Sequence, residues 1–178
     1  GMSIHQDSGE IEGMALPFSF NKKRNCRSVK FVNRFVGVCC IINLNIFHAY
    51  NGFRDYFPYG FEDTDLSHRM YLDGNTIVYD PRLKVRHYKP SKGGYLLRKK
   101  QHSTLILENK IKYINYNFRW YMRFFARLYW FIRYIFRRDL SSAIFVMFKR
   151  VNVQQTSYQN KWGVRAVVRL LKGGSIPF

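Results

Sequence analysis

Residues 57–88 read FPYGFEDTDLSHRMYLDGNTIVYDPRLKVRHY, with Glu62, Asp63, Asp65 and Asp73 close together and His87 near the end. The chain around them has 30 Lys+Arg against 11 Asp+Glu and a formal net charge of +19. Acids gathered in this way have two uses. In the first turn of a helix they meet the positive end of the macrodipole and accept its free N–H groups, a purely structural role. A carboxylate at the mouth of an α/β sheet can instead take a proton from a hydroxyl nucleophile, and a histidine on a neighbouring strand end can complete a divalent-metal site. Taken singly, His87 reads as a hydrogen-bonded structural histidine, His68 as surface or packing, and Asp80 before Pro81 as turn chemistry.

Positioning these groups requires a helix from Glu62 to about Asp73, with Leu66, Met70 and Leu72 as its apolar stripe and Gly74 as its stop. Ahead of it, VKFVNRFVGVCCIINL predicts a buried strand or strand pair, and NIFHAY about two helical turns ending where Gly52 can take positive φ. RDYFPYG is an aromatic loop, because Pro58 bars regular helix through it. Behind the helix, NTIVYD and LKVRHY predict short strands joined through Asp80-Pro81 as a hairpin or tight crossing. Residues 1–28 read as loop with at most one short strand, and KPSKGG at 89–94 as a linker.

The ordered set GVCCIINLNIFHAYNGFRDYFPYGFEDTDLSHRMYLDGNTIVYDPRLKVRHY resembles the acceptor-side half of family 2 glycosyltransferases, bacterial GT-A enzymes of the rhamnosyl-, galactosyl- and N-acetylglucosaminyltransferase type. The shared pattern is an apolar strand with glycine, a short helix, a Gly-Phe turn, an aromatic loop, Glu-Asp-x-Asp-Leu, an arginine, a glycine turn and a strand ending in histidine. It covers about residues 10–90, and extends loosely through LENKIKYI.

The resemblance implies Asp63 as catalytic base and Glu62 as its acceptor-binding neighbour. It implies Gly52, Phe53 and Tyr59 in the acceptor pocket, Asp65 and Arg69 as supports, and His87 as a ligand of Mg²⁺ or Mn²⁺. Asn51 departs from the pattern, which commonly has a second glycine there, and so alters the acceptor loop. The implied fold is α/β: the C-terminal part of a GT-A (Rossmann-like) mixed sheet over 1–92, then a basic, aromatic-rich helical tail over 93–178. The implied partners are a nucleotide-sugar donor and a glycan or lipid-diphosphate-linked acceptor, in cell-surface polysaccharide synthesis. The one DxD, Asp63 to Asp65, belongs to the acceptor motif, and no nucleotide-binding βαβ pattern precedes it. The expectation is therefore an acceptor-side half with the donor site largely missing. The alternative is a truncated, non-catalytic membrane-binding or assembly module.

The tail carries most of the excess charge. In NFRWYMRFFARLYWFIRYIFRRD, Arg119, Arg123, Arg127, Arg133 and Arg137 fall in a sector of about 120° on a helix. Phe124, Phe125, Leu128, Phe131, Ile132, Ile135 and Phe136 fill the opposite side. This predicts a helix in the headgroup plane of an anionic bilayer, peripheral on the cytoplasmic face of the cell membrane. The plainer expectation is a packed helix with solvated arginines. Residues 35–53 carry no charge, yet Asn43, Asn45, His48 and Asn51 interrupt them, which favours strand and short helix over a membrane span. Nucleic acid is not expected as a partner, since no RRM, KH or zinc-finger pattern appears and the apolar face is too broad for a groove reader. Cys26, Cys39 and Cys40 read as free thiols of a reducing compartment.

Overall fold

The computed structural model describes residues 2–5, 28–57, 60–87, 99–150 and 162–172. Cys26, Pro58, Tyr59 and the 89–94 linker lie outside them. Among the described residues four short strands and six helices follow one another: β1 (Met2–His5), β2 (Lys30–Val32), α1 (Leu44–Ala49), α2 (Glu62–Leu72), β3 (Ile77–Tyr79), β4 (Lys84–His87), α3 (Lys99–Asn117), α4 (Trp120–Phe136), α5 (Leu140–Phe148) and α6 (Val164–Lys172). The class is broadly α/β, with helix dominant. Two compact units form. One contains Gly1–Pro58, Glu62–Gly93 and Val168–Pro177, the other Tyr59–Phe61, Gly94–Val167 and Phe178.

In the first unit β2 runs antiparallel to β3, with Lys30 opposite Tyr79, Phe31 opposite Val78 and Val32 opposite Ile77. The strand period of two turns Val32, Ile77 and Tyr79 inward, against Phe35 and Tyr71, and leaves Phe31 and Val78 outside. β1 pairs with β4 in parallel, and its register sets His5 beside His87.

Of the hairpin or tight crossing expected from NTIVYDPRLKVRHY, the hairpin does not form, because β3 and β4 take different partners. Asp80 redirects the chain between them. Its carboxylate accepts the Arg82 backbone N–H at 2.9 Å and the Arg82 Nε and Nη2 donors, and its carbonyl accepts the Leu83 N–H at 3.3 Å. The strand expected over residues 29–44 is also shorter than its composition suggests. After Val32 the buried Asn33 side chain donates to the Leu170 carbonyl at 2.6 Å, an anchor outside any ladder. Asn43 then caps α1, its side-chain oxygen accepting from Asn45 N at 2.9 Å and Ile46 N at 3.4 Å. From Val168 on, α6 belongs to the first unit, where Arg169 donates to the Leu72 carbonyl at the C-terminal end of α2 at 2.8 Å.

In the second unit α3 buries Ile111, Tyr113 and Ile114. Tyr113, Phe118 and Trp162 meet edge to face, and Phe61 lies 5.6 Å from the Tyr113 ring centre. Lys110 is buried beside them without a carboxylate in salt-bridge range among the described residues. Its ammonium sits 3.3 Å above the Trp130 ring and 2.9 Å from the Tyr134 hydroxyl. Burial, with Arg133 and Arg137 adding, pushes the amine down to about 7, while the negative ring face favours its charged form.

The orientation of α4 corrects the plainer expectation of solvated arginines at Arg123 and Arg127. Its arginine side turns toward the protein. Arg127 donates to the Met147 and Lys149 carbonyls, each at 3.1 Å, and to Asn115 at 3.2 Å. Arg123 donates to the Phe118 carbonyl at 2.8 Å. The last carbonyls of a helix have no intrahelical partner, so a cation inside the unit is well placed at the end of α5. Met122 and Ala126 on α4, and Ala143 and Val146 on α5, are the buried contact residues. The arginines thus replace water as partners of backbone carbonyls, and the aromatic side faces outward. No helix among the described residues is long and apolar enough to cross a membrane.

Candidate active site

Asp63 lies in the first turn of α2, half-exposed. Its Oδ1 accepts the Thr64 N–H at 2.6 Å and the Thr64 hydroxyl at 3.2 Å, and its Oδ2 accepts the Gly37 N–H at 3.1 Å. A carboxylate has about four acceptor positions. The three bonds fix the side chain and leave acceptor capacity on Oδ2. Gly37 belongs to the irregular stretch that sequence patterning assigns to a strand. Cys40 is close by, and burial, then Cys39 and the Asp63 carboxylate, pushes its thiol up. Cys39 and Cys40 are both free and half-buried.

Asp65, two residues further along and so on the opposite side of the helix, is fully buried and works as a clamp. Its Oδ1 accepts Arg54 Nη1 at 2.9 Å and its Oδ2 accepts Arg69 Nε at 2.9 Å. Arg69, only 2% exposed, sends its other donors to the Tyr50 carbonyl at 2.9 Å and the Gly52 carbonyl at 3.0 Å. Every branch ties α2 to the 50–54 turn. The Asp65–Arg69 pair is an i,i+4 helix pair and readable as such. Arg54 was not singled out by sequence reasoning, because a partner eleven residues upstream in an aromatic loop leaves no periodic signal. Tyr50 reinforces the same turn, donating to Asp73 at 3.0 Å and accepting from Asn75 at 2.8 Å.

Gly52 is buried, with φ of 61°, and a Cβ there would lie 2.8 Å from Phe47 Cζ. Its position is therefore glycine by necessity, and Asn51 beside it also takes positive φ at 53°. Phe53 packs edge to face on Phe47 at 5.4 Å while remaining partly exposed. Tyr59 lies outside the described residues. Glu62 is half-buried in the first turn beside Asp63. Directly before it in the chain, Gly60 and Phe61 have φ of 79° and 77°. Positive φ at a bulky non-glycine residue is strained backbone of the kind that clusters at functional turns.

His87 closes β4, and the register puts His5 on the adjacent strand at the same level. His5 escapes local reading altogether, since it is more than eighty residues away in the chain. Among the described residues no three His, Cys, Asp or Glu side chains gather to hold an ion. The described residues do not by themselves form a Mg²⁺ or Mn²⁺ site.

His68, on the same helix, is a packed residue rather than a surface one. Burial first, then the nearby Arg34, pushes its imidazole down to about 3. In the unfolded chain the imidazole titrates near its usual value of about 6.5. The folded value is the lower one, so the unfolded state takes up the proton first. His68 stabilises fully above about pH 6.5, and that stability drains away as pH falls toward 3. Urea midpoints measured from pH 7.5 to pH 4 should fall in wild type, and His68→Gln should flatten part of that slope. Parallel profiles would remove His68 as the cause.

Compared with known proteins, the chain matches no family model, no curated protein and no solved structure.

Proposed function

We propose that this chain provides the acceptor side and general base of an inverting family 2 glycosyltransferase with a GT-A fold, acting peripherally on the cytoplasmic face of the membrane. The observation that carries the proposal is Asp63. It is a half-exposed carboxylate held by Gly37 and Thr64, on a helix locked to the 50–54 turn through Asp65, Arg54 and Arg69. General-base catalysis needs a fixed acceptor with a lone pair to spare, and this geometry supports that role.

In the proposed reaction an acceptor sugar hydroxyl lies against Asp63 Oδ2. The hydroxyl oxygen attacks the anomeric carbon of a nucleotide-sugar, and its proton passes to Asp63. The anomeric C–O bond to the diphosphate breaks, its electron pair leaves on the nucleotide, and configuration at the carbon inverts. Glu62, Gly52 and Phe53 are proposed to line the acceptor, a glycan or lipid-diphosphate-linked sugar. A Mg²⁺ or Mn²⁺ requirement would enter with the donor diphosphate, whose hard oxygens suit such ions, with His87 as this chain's candidate ligand.

The test separates acceptor from donor. Titration of the chain with UDP-, GDP- and dTDP-sugars in a calorimeter should show weak binding or none, with or without Mn²⁺. Glycan and lipid-diphosphate-linked acceptors should give saturable binding that Asp63→Asn weakens. Micromolar, metal-dependent donor binding would mean that the site is more complete than proposed. No saturable acceptor would end the proposal and leave a non-catalytic membrane module, which the outward apolar side of α4 favours.

A further inference from the structure

We propose that the outward side of α4 is a bilayer-insertion surface, with Trp120, Phe124, Phe125, Ile132, Ile135 and Phe136 entering the lipid while the inner arginines stay bonded to the protein. The proposal deepens the peripheral location above and rests on it, but not on sugar transfer. At about 100° per residue, the apolar side chains between Trp120 and Phe136 cover an arc of about 160°. No charged residue of α4 falls inside that arc. The helix has 17 residues and so is about 25 Å long. Trp120 is 78% exposed and Phe136 84% exposed, where a helix packed in the usual sense would bury them. α5 adds exposed Leu140, Ile144 and Phe148 at intervals of four, one stripe of its own.

Charge selects the occupant. Arg119, Arg137, Arg138 and Arg150 are exposed at the ends of α4 and α5, and Lys149, also exposed, pairs with Glu108 at 3.6 Å. The one acid in the connecting turn, Asp139, is committed to capping α5, accepting from Ser142 N at 3.1 Å and the Ser141 hydroxyl at 3.0 Å. Among the described residues, the apolar side is therefore framed mainly by cations, with Asp139 engaged in capping and Glu108 paired with Lys149. A second copy would bring a charge of +19 against +19. An anionic bilayer offers hydrocarbon to the aromatic side and phosphate to the cations together. An exposed tryptophan at one end of such a helix suits the headgroup boundary.

Insertion and simple surface attraction differ in their response to salt. With the arginines of mid-helix engaged inside the protein, most of the binding should come from apolar burial, which salt does not screen. The full chain would be sedimented with phosphatidylcholine vesicles, with and without phosphatidylglycerol, across a salt series. Tryptophan emission would be followed on vesicles with brominated acyl chains. Trp120 is the exposed tryptophan, Trp162 being buried and Trp130 half-buried, so it dominates any shift. Expected are a blue shift, quenching by bromine, and binding to anionic vesicles that persists at high salt. The double variant Phe125→Asp, Ile132→Asp changes exposed positions only. It should keep the helical circular-dichroism signal, lose the quenching, and bind at least about tenfold more weakly. If the double variant binds like wild type and salt alone releases both, the peripheral location survives and insertion is overturned. Binding to no vesicle overturns both. A lipid-free dimer in wild type that the double variant dissolves assigns the surface to a second copy and equally overturns insertion.

Discussion

If Asp63 is the proposed base, Asp63→Asn should lower sugar transfer by about 10²–10⁴-fold in an assay supplied with donor-binding function, the usual worth of a positioned general base. The substitution removes the proposed proton acceptor and little else. The amide oxygen can still take either the Thr64 or the Gly37 N–H, now 2.6 Å and 3.1 Å from the carboxylate. One of the two contacts is lost, a stability change of about 1 kcal/mol. kcat and kcat/KM should fall together, because proton transfer occurs only in the transition state. Asp63→Glu is a sharper control. It retains a carboxylate but moves it by a methylene, away from the Gly37 and Thr64 donors, so most of the activity should still be lost. Near-normal turnover in Asp63→Asn with none in Glu62→Gln reverses the roles of the neighbours. Normal turnover in both variants withdraws the general-base assignment.

Local patterning reveals α1, α2 and the helices of the tail, because capping residues, glycine stops and a 3.6-residue period act within a few residues of one another. Asn43, Gly74 and the Asp65–Arg69 spacing are of this kind. Choice of strand partner is not. β3 and β4 look like the arms of one hairpin, yet each pairs with a strand far away in sequence, β2 for one and β1 for the other. The orientation of α4 is hidden for another reason. A helical wheel divides its residues into a cationic side and an aromatic side, but carries no sign for which side turns inward. Here the decision falls to Arg123 and Arg127, which find backbone carbonyls at Phe118, Met147 and Lys149. Of the candidate site, the acidic cluster is legible and its support is half legible. Gly37 and Arg54 reach Asp63 and Asp65 through the fold alone.

That support explains why Asp65→Ala is the largest stability loss expected in the molecule, about 3–5 kcal/mol. Asp65 is fully buried, and its removal takes the paired carboxylate from Arg69, 2% exposed, and one carboxylate contact from Arg54, 13% exposed. A domain has about 5–15 kcal/mol of stability in all, so the variant would be close to unfolding at ambient temperature. Urea denaturation followed by circular dichroism measures the loss. Arg69→Met alone should be comparably damaging, since it strands the buried carboxylate and removes donors from the Tyr50 and Gly52 carbonyls. The double variant Asp65→Ala, Arg69→Met should recover part of the loss, because no charge is then left fully buried and unpaired. Additive losses would show that the two side chains act independently and that α2 is not held to the 50–54 turn through them. Positive coupling, with Asp63 displaced and acceptor binding weakened in each single variant, ties the stability of this clamp to the position of the proposed base.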